Sequence, residues 1–222
     1  MSGTRAAGLT STAELTWGLL HALTRSLPAE DRNLREGAWQ QTAGRDLHGA
    51  RLGVVGPGGV GSRVAQVGVA FGMDVVAWSA HLDPGHAKAL GVTPVSKREL
   101  LTTSSVMTLH VRLSPHTVGL IATGELALMR PEALPINTSR APVVDEEALL
   151  AALHAGAWGG AALDVHFTEP LPTDSPWRSA PRTVLTPHLG YVTADAFEIF
   201  YRDALGDLLA YAADEPVRLL TP

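Results

Sequence analysis

The chain places an acid and an imidazole close together in sequence, each after what reads as the end of a β-strand. Glu169 follows a strand pattern at residues 161–165, and His188 follows another at residues 184–185. In a parallel α/β sheet the chemistry gathers at the carboxyl ends of the strands. A carboxylate beside an imidazole holds the ring's tautomer and favours its charged form, so this pair is suited to general acid-base catalysis.

A glycine-rich turn is the second feature that could carry chemistry. Residues 51–55 read as a buried strand, residues 56–61 are Gly-Pro-Gly-Gly-Val-Gly, and an apolar helical pattern follows over residues 63–71. This order is the context in which the glycine pattern indicates dinucleotide binding, with phosphates at the helix amides. Gly56 would allow the tight turn and Gly58 the close approach of a pyrophosphate, while Gly61 would allow close helix packing. The alternative is a turn that binds nothing.

The residue after the second predicted strand bears on which dinucleotide would bind. Residues 74–78 read as a strand that ends at Ser79, where NAD-specific folds usually offer an acid to the adenosine ribose. Without a carboxylate nothing repels a 2′-phosphate, yet the nearest candidate cation is His81, and no Arg or Lys lies between Ser79 and Lys88. The sequence leaves both NAD and NADP open.

These residues need a sheet to bring them together, and the rest of the pattern predicts one. Further short apolar runs read as strands, with helical patterns between them that begin at Lys97, Thr123 and Asp145. Such alternation predicts an α/β fold with a doubly wound, Rossmann-type parallel sheet. The additional strands are expected at residues 106–111, 134–137, 161–165 and 184–185. The side chains expected along their carboxyl edge are His110, Asn137, Thr138, Ser139, Arg140, Asp164, Glu169 and His188.

Helices are predicted at both ends of this core. The spacing of Ser11 and Glu14 is that of a capping box, and leucines at helical intervals follow until Pro28 stops the run. A second helical pattern covers residues 194–211. We expect a single domain over residues 1–222. Its predicted parts are a linking and dimerisation region at 1–48, a dinucleotide-binding core at 49–192, and a helix with a tail at 193–222.

Composition narrows the class of protein. The formal net charge is -5 and no block of Lys and Arg occurs, so neither nucleic acid nor an anionic membrane surface is an expected partner. The chain has no cysteine, which excludes thiolate metal sites and is compatible with a cytoplasmic location. It shows no metal-ligand spacing, no signal peptide and no apolar run that could span a membrane.

The ordered motifs resemble the NAD(P)-dependent D-2-hydroxyacid dehydrogenase family from the helix at Ser11 to the last residues. The segments that carry the resemblance follow the family's order. They are Gly56-Pro-Gly-Gly-Val-Gly61, Leu109-His110, Asn137-Thr-Ser-Arg140 with Val144-Asp-Glu146, Ala162-Leu-Asp-Val165 leading to Glu169-Pro170, and Thr186-Pro-His-Leu-Gly190.

The resemblance implies hydride transfer between NAD or NADP and the C2 atom of a small 2-oxo or 2-hydroxy acid. It implies that Arg140 grips the substrate carboxylate, while His188 and Glu169 form the acid-base pair. Glu169 also disfavours formate oxidation, because the related formate dehydrogenases carry Gln there. The implied cofactor-binding residues are Gly56, Gly58, Gly59, Val60, Gly61, Ser79, His110, Thr138, Ser139, Arg140, Asp164, His188 and Gly190, with Asp164 at the nicotinamide carboxamide.

One departure from the family keeps a second function open. The family's N-terminal substrate lobe has no counterpart in this sequence, and in relatives that lobe closes over the nicotinamide. The alternative is therefore a truncated, cofactor-binding protein without dehydrogenase activity, with a regulatory or repurposed role. The resemblance also implies a homodimer through residues 17–39, unless Trp17 packs onto its own domain.

Overall fold

Seven parallel strands form one sheet in the computed structural model, which describes residues 3–4 and 8–220. The strand order is β3-β2-β1-β4-β5-β6-β7, and every neighbouring pair is parallel. The strands are β1 (Arg51–Val55), β2 (Asp74–Trp78), β3 (Thr93–Pro94), β4 (Val106–Leu109), β5 (Leu134–Asn137), β6 (Ala161–Leu163) and β7 (Thr183–Leu185). The order reverses between β1 and β4, and this switch point is where a doubly wound sheet opens a crevice. The predicted Rossmann-type α/β fold is confirmed.

Helices cover both faces of the sheet and enclose two apolar cores. One core contains Leu20, Leu52 and Val64, and the other contains Leu109 and Leu153, all at most 1% exposed. The helices are α1 (Gly8–Thr24), α2 (Leu27–Arg35), α3 (Gly59–Ala70), α4 (Pro84–Ala89), α5 (Lys97–Thr103), α6 (Thr123–Leu126), α7 (Glu146–His154) and α8 (Ala194–Ala212), with 3-10 turns at Ala141–Val143 and Pro176–Ser179. Because apolar side chains face both sides of the sheet, the strands read as continuous apolar runs.

The predicted limits of the first helix are wrong at both ends. The helix already includes Gly8, and Ser11 Oγ donates back to the Gly8 carbonyl at 3.3 Å, so Ser11 is not a cap. The helix ends at Thr24, before Pro28. Ser26 then takes a left-handed conformation with φ of 51°, and Pro28 lies in the first turn of α2. Proline is tolerated in a first turn because the amide it lacks has no helical partner there.

The predicted positions of the strands agree with the structure better than the predicted strand ends do. The strands at 51–55, 74–78 and 134–137 match, whereas β4 and β6 stop at Leu109 and Leu163, two residues early. The sequence did not predict α2, α4 or β3. The last two are short, and α4 depends on Asp83, whose side chain accepts the His86 amide at 2.7 Å.

The predicted dimer region divides into a buried and an exposed part. Trp17 is only 7% exposed, and its ring lies 5.1 Å from that of Phe71, so this tryptophan packs onto its own domain. Trp39 is 73% exposed. None of the helices within residues 3–4 and 8–220 has the length and apolarity that crossing a membrane requires. The outermost residues of the predicted 1–48 and 193–222 parts lie outside the described residues.

Candidate functional site

The glycine-rich turn has the geometry that the sequence predicts. Gly56 has φ of +84°, a region that favours glycine, and its amide donates to the Trp78 carbonyl at 2.8 Å. A Cβ on Gly61 would lie 2.3 Å from the Gly56 carbonyl oxygen, so only glycine lets α3 start this close to the turn. A Cβ on Gly58 would meet nothing within 4 Å. Gly58 therefore faces open space, as a close approach by a phosphate requires.

Two substitutions separate packing from binding in this turn. We expect Gly61→Ala to lower the free energy of unfolding by about 3 kcal/mol, because the added methyl overlaps a backbone atom. Gly58→Ala should leave the melting temperature unchanged and weaken NADH binding about tenfold or more, an effect of ~1.4 kcal/mol. Thermal melts and NADH fluorescence titrations measure the two effects. Equal stability loss in both variants would contradict the assignment of Gly58.

A histidine of α4 supports this turn. His86 Nε2 lies 3.1 Å from the Pro57 carbonyl oxygen and 3.3 Å from Ser62 Oγ, and Ser62 Oγ donates to the same carbonyl at 2.8 Å. A carbonyl only accepts, so Nε2 carries the ring proton in this contact. The contact between His86 and the Pro57 carbonyl depends on α4, which the sequence did not predict. Ser79, the residue expected near the adenosine ribose, lies half-buried directly after β2.

A cleft of about 460 Å³ opens at the switch point. Val60 from the glycine turn lines it together with His110, Thr138, Ser139 and Arg140. Burial lowers the pKa of His110 to about 3, so this ring is neutral. Within the described residues His110 Nε2 is buried without a hydrogen-bond partner, which fits a site completed by a polar ligand.

The turn after β5 is held by the side chain of Asn137. Its Oδ1 accepts from Ser139 N at 3.0 Å and from Ser139 Oγ at 2.9 Å, and its Nδ2 donates to the Arg140 carbonyl at 3.0 Å. Thr138 Oγ1 lies 2.9 Å from Thr16 Oγ1, which joins the turn to α1. Arg140 is exposed, and its Nη1 donates to the Ser139 carbonyl at 2.6 Å. The remaining guanidinium donors of Arg140 are available to a carboxylate.

Asp164 is fully buried and holds the loop that carries His188. Its Oδ1 accepts from Thr186 Oγ1 at 2.6 Å and from Leu189 N at 2.7 Å, and its Oδ2 accepts from Gly190 N at 2.9 Å. Thr12 Oγ1 donates to the Gly190 carbonyl at 2.9 Å. In this conformation Asp164 acts on the loop, and its contact with a nicotinamide carboxamide stays a prediction.

Glu169 and His188, the predicted acid-base pair, lie in hydrogen-bond contact. His188 Nδ1 lies 2.8 Å from Glu169 Oε2, with side chains 30% and 37% exposed. A carboxylate accepts, so Nδ1 bears the proton and Nε2 is left to exchange a proton with a ligand. His188 has φ of 57°, a strained conformation for a residue other than glycine, and such strain is concentrated at functional sites.

The pair lines a second, open cleft of about 780 Å³. Tyr191 meets the His188 ring edge-on at a centroid distance of 5.6 Å. His166 also lines this cleft, and Arg178 lies at its rim and donates to the Leu171 carbonyl. Arg140 lines the first cleft rather than this one, and no hydrogen bond or ion pair joins it to His188 in the described chain.

The electrostatics of the pair favour an ionised Glu169. Partial burial raises the pKa of Glu169. Hydrogen bonds from the His188 ring and the His166 amide, with the charges of both rings, outweigh burial and hold that pKa below its ordinary 4.5. A carboxylate whose pKa is lower in the folded state than in the unfolded state stabilises the fold at pH values above its unfolded-state pKa. This stabilisation is lost as the pH falls through its folded-state pKa.

We therefore expect a pH dependence that Glu169→Gln removes. The difference in unfolding free energy between the wild type and this variant should shrink as the pH falls below about 4.5, because the carboxylate is then protonated. Denaturant titrations at several pH values measure it. A difference that grows as the pH falls below about 4.5 would contradict the role of the ionised carboxylate.

Several residues at the site gave no signal in the sequence. Leu9 and Thr12 of α1 reach the first cleft, and Tyr191 reaches the second. Their types are common in any helix or loop, so only the fold identifies them. A Cβ on Gly59 would lie 3.2 Å from the Leu9 side chain, which shows how closely α1 covers the turn. The described residues contain no group of three His, Cys, Asp or Glu side chains that could hold a metal ion.

Comparison with known proteins identifies the family of this chain. The family model of the NAD-binding domain of D-isomer specific 2-hydroxyacid dehydrogenases matches residues 17–190 of this chain. The chain is 40% identical over 188 residues to D-3-phosphoglycerate dehydrogenase of Mycobacterium tuberculosis; the match spans 84% of this chain and 35% of the relative. The chain thus spans about a third of that relative's length.

Solved structures show the same fold. A phosphoglycerate oxidoreductase from Vibrio cholerae superposes with a TM-score of 0.87 at 36% identity, over 92% of this chain and 67% of that one. D-lactate dehydrogenase from Aquifex aeolicus, solved with NAD and lactic acid, gives a TM-score of 0.88 at 27% identity, over 99% and 70% of the two chains. The chain therefore belongs to the D-isomer specific 2-hydroxyacid dehydrogenase family, by its NAD-binding domain.

Proposed function

We propose that this chain carries the cofactor and acid-base side of a 2-oxoacid reductase, which interconverts a small 2-oxo acid and its 2-hydroxy acid. The observation that carries the proposal is the 2.8 Å contact between His188 Nδ1 and Glu169 Oε2, made by a ring that lines an open cleft and keeps Nε2 free of that contact. An imidazole held in one tautomer by a carboxylate is a general acid for a carbonyl oxygen and a general base for the reverse reaction.

The chain's residues fit the dinucleotide that the reaction requires. The amides after Gly58 would hold the phosphates, and His110 and Thr138 would lie along the nicotinamide half of the crevice. The bound nicotinamide supplies or accepts the hydride. Ser79 takes the position of the acid that selects NAD, so binding of both NAD and NADP is part of the proposal.

Each catalytic side chain then has one task. Arg140 binds the substrate carboxylate with its free guanidinium donors and orients the neighbouring carbonyl. His188 Nε2 gives its proton to the carbonyl oxygen as that oxygen gains charge, and Glu169 stabilises the ring while it is charged. Because the relatives act on phosphoglycerate and on lactate, the proposed substrate class is 2-oxo acids in general.

A reductase assay tests the proposal directly. NADH and NADPH binding is measured by fluorescence, and turnover is followed by absorbance with glyoxylate, pyruvate, hydroxypyruvate and bulkier 2-oxo acids. We expect binding of a cofactor and turnover of at least one acid. Cofactor binding without turnover, unchanged by His188→Ala, would favour the alternative of a cofactor-binding protein with no dehydrogenase activity.

Dimerisation is proposed only through the exposed part of residues 27–39. Leu27, Leu34 and Trp39 are 50%, 57% and 73% exposed, which leaves an apolar surface beside α1. Sedimentation velocity at micromolar concentration tests this point. A monomer with the same sedimentation coefficient as a Trp39→Ser variant would remove the dimer from the proposal.

A further inference from the structure

A cleft of about 420 Å³ lies at the amino-terminal edge of the sheet, away from the edge that carries His188. Leu134 and Thr183, at the starts of β5 and β7, form part of its wall. Its volume lies in the range of small-molecule sites. Among the described residues that line it, the charged ones are Arg32, Arg45 and Arg182, with no carboxylate. A wall of one charge is notable in a chain whose formal net charge is -5.

Two of these guanidinium groups are held in place by backbone carbonyls. Arg45 Nη1 donates to the Glu132 carbonyl at 2.8 Å, and Arg182 Nη2 donates to the Leu153 carbonyl at 2.7 Å. Neither makes an ion pair in residues 3–4 and 8–220. Each of these two arginines therefore keeps most of its five hydrogen-bond donors for a ligand. The bond to the carbonyl already orders the side chain, so binding a ligand costs less conformational entropy.

The third cation comes from α2, together with the start of that helix. Arg32 lies on α2 and makes no ion pair within the described chain. Pro28 and Ala29, in the first turn of α2, also line the cleft. The amino end of a helix carries partial positive charge, so it adds to the field of the three guanidinium groups.

Two residues of the cleft have strained backbone conformations. Ser26 and Arg182 line the cleft, and both adopt left-handed conformations, with φ of 51° and 53°. Such residues cost of order 1–3 kcal/mol and are found at ligand clamps and active sites. His188 is another residue in this conformation. Arg182 is fixed there because its carbonyl accepts the Ala161 amide at 3.1 Å.

The nearest acids do not neutralise the cleft from within. Glu30 of α2 accepts from Thr42 Oγ1 at 2.7 Å and from the Gln41 amide, outside the cleft lining. Asp46 and Glu132 line a neighbouring cavity of about 170 Å³, which Arg45 also lines, and not this cleft. The described residues that line the cleft therefore include three arginines and no carboxylate.

We propose that this cleft binds a small dianion, a phosphomonoester or a dicarboxylate, at a site separate from the cofactor crevice. The two ligand types share paired oxyanion acceptors, which guanidinium groups bind through two parallel hydrogen bonds. An acidic segment of a second copy of the chain is the competing occupant. The small anion is favoured because two of the three cations are already anchored around a concave volume of small-molecule size.

The test uses the isotope-labelled chain without cofactor or substrate, titrated separately with inorganic phosphate and malonate. Amide resonances report where each anion binds. We expect saturable shifts at Thr24, Ser26, Gly159 and Thr183, and stronger binding of one anion identifies the ligand type. Arg32→Gln should weaken binding about tenfold, and this side chain makes no hydrogen bond in the described chain whose loss could unfold it.

Matched variants separate charge from fold. Arg182→Lys keeps the charge but loses the planar fork, so it should weaken binding less than Arg182→Gln does. Arg98→Gln removes an exposed arginine of α5 and should change nothing. Shifts confined to residues 56–61 and 138–140, non-saturable shifts, or equal weakening by Arg98→Gln would overturn the proposal. So would a dimer in sedimentation experiments that covers these amides and excludes both anions.

Discussion

Replacing His188 with Asn is expected to lower kcat for 2-oxoacid reduction by about 10²- to 10⁴-fold, the usual contribution of general acid catalysis. The side-chain NH2 group of Asn can donate to Glu169 in place of Nδ1, but Asn cannot transfer a proton from the place of Nε2. NADH affinity should fall far less than kcat, because the phosphates are expected to bind at the glycine turn and the cleft that Arg140 lines does not include His188. Steady-state kinetics and NADH fluorescence measure the two quantities.

The control for this prediction is an exposed histidine outside the pair. His116 is exposed, lies in the loop after β4 and is not in the cleft that His188 lines. His116→Asn should therefore keep wild-type kcat. If both histidine variants retained full activity, proton transfer by His188 would be wrong and another donor would have to be sought near the cleft.

The sequence predicted the sheet and the site's edge because their signals are local. Each of β1, β2 and β5 is a short apolar run followed by glycine or polar residues, and its limits depend on a few neighbours in the chain. The first helix shows where local signals fail. Ser11 has the residue type and spacing of a helix cap, but α1 already includes Gly8. The start of α1 is therefore not determined by this local signal.

Contacts between residues far apart in the chain could not be predicted in detail from the sequence. The sequence suggested that Glu169 and His188 act as a pair, and the fold forms it at 2.8 Å. It could not show that Asp164 holds residues 186–190, since three bonds across more than twenty residues leave no periodic signal. Nor could it show Arg45 and Arg182 on one cleft, because they are far apart in sequence and come together only through the sheet.

The strained backbone of His188 needs a compensating interaction, and Asp164 supplies it. Its carboxylate binds the amides of Leu189 and Gly190, the two residues that follow His188. Charge-assisted hydrogen bonds of this length contribute about 1.5–3 kcal/mol each, enough to offset a strained residue. Loop strain and buried carboxylate therefore act together to point the imidazole at Glu169.

Asp164→Asn is accordingly expected to lower both stability and turnover. In either orientation the amide group of Asn turns an N–H toward a backbone N–H of the loop, so at least one bond becomes a repulsion. We expect the free energy of unfolding to fall by about 3 kcal/mol. We expect kcat to fall about a hundredfold, since a displacement of about 1 Å has that effect. Denaturant unfolding and steady-state kinetics measure the two losses.

Two further measurements assign these losses to the loop. Asp145→Asn makes the same change at the cap of α7, where Asn also caps well, so stability and kcat should stay unchanged. In Asp164→Asn, the NMR signal of the His188 ring should lose its sensitivity to Glu169→Gln, because the ring no longer meets the carboxylate. If that sensitivity survived while kcat fell, Asp164 would act on the bound ligand rather than through His188, as its predicted contact with the carboxamide requires.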